Sequence, residues 1–173
     1  MSLPRELSVR DGRLYQTPTR EFDALRCNKT VHEKVNFTGT ISLEGVSGRR
    51  IDMELTLRRG AAQTLYQKFA VRFAQKDQYH TSLSFRPRES ILKIDRKFSG
   101  SRRAIIHQRR SLVNSAEGSL KLRIILDRFS AEVFVNDGEQ VLTATMYTDQ
   151  AADGISFFSD GTVEMDVVKY DLL

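Results

Sequence analysis

The residues of this chain with the means to do chemistry are its acids, and they crowd into one stretch. Asp127 and Glu132 stand close together, followed by Asp137 and Glu139. Two carboxyl groups in different environments can divide into a proton donor and a nucleophile or base. One of them must then be raised in pKa by burial or a like charge, across a substrate-sized cleft. The neighbouring residue types favour a plainer role. Asp127-Arg128-Phe129-Ser130 reads as one turn and Asn136-Asp137-Gly138 as another, and Asp and Asn side chains stabilise turns by bonding nearby backbone. Arg128 is placed to pair with a nearby acid. Glu132 and Phe134 have the parity opposite to Val133 and Val135, so one pair faces the core and the other a neighbouring sheet, helix or domain. No catalytic role is assigned to these acids.

The other reactive groups are Cys27, His32, His80 and His107. Cys27 reads as a small, partly buried side chain, since nothing nearby activates a thiolate. One cysteine and three scattered histidines lack the short paired spacing of a structural zinc site. No metal and no cofactor is expected. A single cysteine excludes an intramolecular disulfide. Residues Met1 to Leu7 have no signal-peptide apolar core, so a cytoplasmic location is expected. No apolar run has the length of a bilayer-spanning helix.

Net charge is +5, unevenly placed. From Asp127 onward ten acids face only Arg128 and Lys169, a balance of −8, which leaves +13 on residues 1–126. A basic body can mark nucleic-acid binding. In a sheet protein the two parts lie side by side and their charges interleave. The arginine pairs at 49–50, 58–59, 102–103 and 109–110 are therefore read as solvated edges and cross-strand partners, with no nucleic-acid partner.

The elements that position these groups are strands. Glu6–Arg10, the turn Asp11-Gly12 and Arg13–Gln16 form a hairpin. Pro18 ends it, and Thr19 is placed to cap a short helix whose Phe22 and Leu25 share a face. From Thr38 the apolar period is two. Ile51, Met53, Leu55 and Leu57 alternate with Asp52, Glu54, Thr56 and Arg58, which reads as a half-buried strand. Further strands are read at Phe69–Phe73, Tyr79–Phe85, Ile91–Ile94, Ala104–His107, Leu120–Leu126, Glu132–Val135, Val141–Met146, Gly154–Phe158 and Val163–Tyr170. Ten to twelve short strands with no long helix predict an all-β sandwich of two antiparallel sheets, jelly-roll or concanavalin-like, preceded by the hairpin and a short linker helix.

The run Asp127-Arg128-Phe129-Ser130-Ala131-Glu132-Val133-Phe134, followed by Asn136-Asp137-Gly138-Glu139, resembles the C-terminal signature of glycoside hydrolase family 32. Leu3–Leu7 and Leu14–Glu21 resemble that family's passage out of its catalytic domain, and Gly154–Phe158 its closing strand. The resemblance spans essentially the whole chain, most specifically at its two ends. It implies a β-fructofuranosidase parent that splits sucrose or sucrose 6-phosphate, with a five-bladed catalytic propeller preceding this domain. On that reading residues 1–30 are the linker hairpin and helix leading out of the propeller, and 31–173 are the sandwich.

The family's catalytic stretches, Asn-Asp-Pro-Asn, Arg-Asp-Pro and Glu-Cys, do not occur here. Asn136-Asp137 is followed by Gly138, and Cys27 is preceded by Arg26. The resemblance thus implies a non-catalytic domain that supports the propeller, with Leu14, Tyr15, Phe22 and Leu25 as candidate contacts to it or within a homodimer. The alternative is a stand-alone fructan-binding module using Tyr66, Tyr79, Tyr147 or Tyr170. The lack of Trp argues against a dedicated sugar platform.

Overall fold

A computed structural model describes residues 2–61, 64–100 and 106–173. The hairpin forms as its sequence predicts. Strands β1 (Arg5–Arg10) and β2 (Arg13–Pro18) pair antiparallel. Asp11 and Gly12 both have positive φ, 49° and 75°, the backbone a two-residue primed turn requires. The expected helix is a single 3-10 segment, Arg20–Leu25. The Thr19 side chain makes no cap; its carbonyl accepts from the Phe22 N–H instead.

Among the described residues ten strands make the body: β3 (Arg26–Ile41), β4 (Ile51–Arg59), β5 (Lys68–Lys76), β6 (Tyr79–Arg86), β7 (Ile91–Asp95), β8 (Gln108–Leu112), β9 (Leu120–Asp127), β10 (Ser130–Val135), β11 (Gln140–Thr145) and β12 (Gly154–Leu172). The ladder runs β11-β10-β9-β4-β12-β5-β6-β7-β8, with β3 on β12 as well. All pairings are antiparallel.

β12 joins two layers. Its first part pairs with β5 and its second with β4, while β3 follows it along both. The registers shift between Ser159 and Val163, at Gly161. Gly161 has φ +97°, and a Cβ there would come within 2.9 Å of the Tyr66 Cα. The bend therefore needs a residue with no side chain. Each layer buries one face in a single apolar cluster. Ile51, Met53, Leu55, Leu122, Ile124 and Val133 come from one side, and Phe69, Val71, Leu83, Phe85 and Ile94 from the other. This is the expected two-sheet sandwich.

Three sequence readings need correction. Residues 26–37 were not read as a strand, yet β3 begins at Arg26. The closing segments 154–158 and 163–170 are one bent strand rather than two. Arg49 is not a solvated edge. It is buried, donating Nε to the Arg128 carbonyl at 2.8 Å and Nη1 to the Thr148 hydroxyl at 2.7 Å. Residues 104 and 105 of the expected 104–107 strand, and the 102–103 arginine pair, lie outside the described residues; Ile106 and His107 are not in a strand, and β8 begins after them at Gln108.

Candidate functional site

Glu132, Phe134 and the Asn136–Gly138 turn assemble one site, on the outer face of the β4-β9-β10 layer beneath the N-terminal segment. Alternation builds it. In β10, Ala131, Val133 and Val135 enter the main core, and Glu132 and Phe134 turn the other way. In β9, Leu122, Ile124 and Leu126 enter the core, which leaves Lys121, Arg123 and Ile125 outside. In β4 the outer residues include Asp52 and Glu54.

Glu132 is the anchor. It is only 2% exposed. One carboxylate oxygen accepts from the Leu3 backbone N–H at 2.5 Å, and the other from Arg5 Nη2 at 2.7 Å. The Arg5 guanidinium also lies 5.6 Å from the centre of the Phe134 ring. Phe134 closes a small second cluster with Ile125 and Leu172, against which Leu3, Phe22 and Val141 pack.

Asp52 is the second anchor. It has no exposed surface, and its carboxylate accepts from Arg26 at 2.7 Å and Arg123 at 2.6 Å. Arg123 also reaches Asp23 at 2.6 Å, and Arg26 reaches Glu54 at 2.5 Å. Burial works against the Arg26 charge, but hydrogen bonds to Asp52 and Glu54 outweigh it and hold its pKa above the ordinary value. Arg123 is raised in the same way: burial opposes, and Asp52 prevails. The pairs compensate charges that would otherwise be costly to bury.

The third contact is the turn after β10. Asn136, Asp137 and Gly138 all have positive φ, at 47°, 58° and 97°. Asn and Asp tolerate that region and Gly adopts it freely, which accounts for this order of residues. The Asn136 side chain accepts from the Lys121 N–H at 3.2 Å and donates to the Asn114 carbonyl at 2.6 Å. Asp137 pairs with Lys121. Gly138 lies so close to the Gln16 backbone of β2 that a Cβ would strike the Gln16 carbonyl. Arg13 of the hairpin reaches Glu139 at 2.7 Å.

The remaining signature residues shape the β9–β10 turn, where the Ser130 hydroxyl donates to the Asp127 carbonyl at 3.2 Å. Arg128 does not pair with an acid as expected. Its backbone, at φ 37°, offers a carbonyl to Arg49, and its guanidinium makes no ion pair among the described residues. Charges do interleave along the chain: Arg5, Arg13, Arg58 and Lys121 all pair with acids beyond residue 127.

This arrangement is a clamp. Glu132 is enclosed and charge-paired, Asp127 and Asp137 are on the surface, and Glu139 is tied to Arg13, so these acids do not face one another across a cleft. Cys27 Sγ lies by the Asp171 carbonyl, His32 by the Glu44 carbonyl and His80 on the Phe98 ring. No cluster that could hold a metal ion occurs among the described residues.

Phe22, read as a candidate contact to a second domain, is partly buried and packs against the cluster of Ile125, Phe134 and Leu172. Tyr15 is half-buried beneath the Arg10 guanidinium, 4.9 Å from its ring centre. Leu14 and Leu25 are exposed, as are Leu7 and Val9. Asp52, Arg26, Arg123 and Arg5 were missed from sequence. Their partners come from remote strands, and alternation could say only that Asp52 and Arg123 face outward.

A family model described as the C-terminal domain of glycosyl hydrolases family 32 matches residues 21–172, and the chain belongs to that family. It is 28% identical over 173 residues to a sucrose-6-phosphate hydrolase of Staphylococcus xylosus, covering 99% of this chain and 34% of that protein. It is 32% identical to a raffinose invertase of Escherichia coli, covering 95% of this chain and 34% of that protein. Among solved structures, the sucrose-6-phosphate hydrolase of Lactobacillus gasseri superposes with a TM-score of 0.78 at 24% identity, over 98% of this chain and 33% of that one. The exo-inulinase of Aspergillus awamori gives 0.80 at 19% identity, over 99% and 35%. The chain thus spans about a third of the length of these relatives.

Proposed function

We propose that this domain is the non-catalytic C-terminal support of a cytoplasmic β-fructofuranosidase acting on sucrose or sucrose 6-phosphate, and that residues 1–30 carry the connection to its catalytic propeller. The observation that carries the reading is the clamp. Glu132, Asp52 and Gly138 fasten residues 3–26 to the sandwich through charge-paired and close backbone contacts. Such a fastening gives a rigid exit for a preceding domain. One face of the fastened hairpin carries Leu7 and the cross-strand pair Val9 and Leu14, which are 65%, 71% and 51% exposed. Contiguous apolar surface of this kind marks a protein contact. The occupant is the propeller, since the matched relatives are about three times as long as this chain. Likeness to sucrose-6-phosphate hydrolases and the single free cysteine support the cytoplasm as its place.

The test is to mix the chain with a separately produced family 32 propeller. Co-elution that is lost in Leu7→Asp/Leu14→Asp, with no fructose released from sucrose by the chain alone, is the expected result. Fructose release by the chain alone, or failure to associate, would overturn the reading.

A second reading is sugar binding by the sandwich itself. Tyr66 is fully buried, donating to the Gly118 carbonyl, and Tyr170 lies under Arg26. Tyr79 and Phe98 remain exposed beside a hollow of about 280 Å³ that His80 and Lys97 also line. Titrating an oligofructan while following the Tyr79 and Phe98 resonances decides it: a saturable shift favours the module, a flat response the support.

A further inference from the structure

The opposite layer carries a second feature, on the outer face of β5-β6-β7-β8 and away from the clamp. A groove of about 90 Å³ is lined by Lys68, Ser84, Arg86, Glu89, Ile91, Lys93 and Arg110. The register places these residues. Ala70 of β5 faces Ser84 of β6, Ser84 faces Lys93 of β7, and Lys93 faces Arg110 of β8. Ser84 thus lies among Lys68, Arg86, Lys93 and Arg110 in the lining.

The charge arrangement is unfavourable by itself. Lys93 and Arg110 are directly opposed across an antiparallel pair, where like charges destabilise. Glu89 reaches Arg86 at 3.0 Å and Asp95 reaches Lys93 at 3.2 Å, and Asp160 lies near Lys68. Lys68 and Arg110 have no ion pair among the described residues. The Ser84 hydroxyl, on a residue 5% exposed, has no hydrogen-bond partner among them. Burial, then the nearby Lys93, Arg86 and Arg72, lower the Lys68 pKa. Lys68, Arg86, Lys93 and Arg110 around one serine hydroxyl, against the single carboxylate of Glu89 in the lining, are the features of an oxyanion site.

We propose that this groove binds a single phosphate group, free or as a phosphate monoester, held by Lys68, Lys93, Arg110 and the Ser84 hydroxyl. Its volume sets the ligand class. It is well below the ~300 Å³ at which sites for whole small molecules begin, so the groove takes the phosphate and leaves any attached group in solvent. It is also too short to track a polyanion.

The experiment titrates the isotopically labelled chain with inorganic phosphate, glucose 6-phosphate and glucose at constant ionic strength, with chloride as control. Saturable amide shifts confined to Ser84, Lys93, Arg110 and their neighbours are expected from both phosphates and not from glucose or chloride. A response to inorganic phosphate alone identifies the free ion as ligand; equal or tighter binding of glucose 6-phosphate identifies the monoester. Arg110→Gln should weaken binding roughly tenfold, the loss of one charge-assisted contact. In phosphate-free buffer it should melt no lower than the parent, because it removes the repulsion with Lys93. Lys68→Gln should weaken binding similarly and provides a second variant. Shifts matched by chloride, affinity unchanged in both variants, or much tighter binding of an oligonucleotide with steep salt dependence would each overturn the proposal.

Discussion

The carboxylate of Glu132 holds the backbone N–H of Leu3 at 2.5 Å, across 129 positions of sequence. A nearly inaccessible acid of the sandwich therefore fixes where the N-terminal segment enters. Glu132→Gln keeps the size and loses the charge that Arg5 and Leu3 answer. We expect it to cost about 1.5–3 kcal/mol, in the range for hydrogen bonds to charged groups. Urea unfolding measures the cost, and limited proteolysis should show earlier cleavage within residues 2–20. An unchanged cleavage pattern would mean that the segment is held by other contacts.

Asp52 balances Arg26 and Arg123 with no solvent access. Asp52→Ala leaves two partly buried cations facing each other, and breaking such a pair costs about 3–5 kcal/mol. Replacing Arg123 with Met in the same chain should recover part of the loss. A double-mutant cycle reads the coupling; additive costs would contradict the shared network.

Gly138 is a backbone contact rather than a flexible turn. Gly138→Ala must place a methyl against the Gln16 carbonyl at φ +97°. The left-handed penalty alone is about 1–2 kcal/mol. Loss of the fit should also free the hairpin, seen as faster amide exchange at Tyr15–Thr17. Gly12→Ala, with open space around its Cβ, should bear the conformational cost and leave that exchange unchanged.

Asp166 sets part of the acid limit. A hydrogen bond from Arg58, and then one from the Lys34 N–H at 2.8 Å, hold its pKa below the ordinary carboxylate value. A lowered folded-state pKa contributes stability that is fully present above the unfolded value, about 3.9, and is lost as pH falls through the folded value. Asp166→Asn should therefore flatten the stability profile below about pH 4 and leave it nearly parallel to the parent at neutral pH. The pair is largely surface-placed, so its effect is small. Chemical denaturation at stepped pH checks the slope.

The sequence disclosed most where one face of a strand is apolar and the other polar. Ile51–Leu57 and Leu120–Leu126 show their alternation directly, and both sit where it puts them. β3 was hidden because its charged residues Lys29, Glu33 and Lys34 blur the pattern, and because Asn28 and Lys34 have positive φ. Asp160-Gly161 has the composition of a turn and is a bend inside a continuous strand. The clamp was half visible. The opposite parities of Glu132 and Val133 implied an outward contact, but its partners Leu3 and Arg5 depend on the tertiary path of the chain. Arg49 was misread because adjacent arginines look solvated, whereas the carbonyls that hold it belong to loops far along the chain.

The bent strand β12 pairs with β3, β4 and β5 and is the only bridge from one half of the described ladder to the other, apart from β3 lying on it. Residues 26–41 therefore lack their neighbour until residues 154–172 have been made. During synthesis the earlier strands must wait on the ribosome with open edges. The domain is expected to fold late and slowly, as its distant pairings dictate. In that interval it is most dependent on a chaperone.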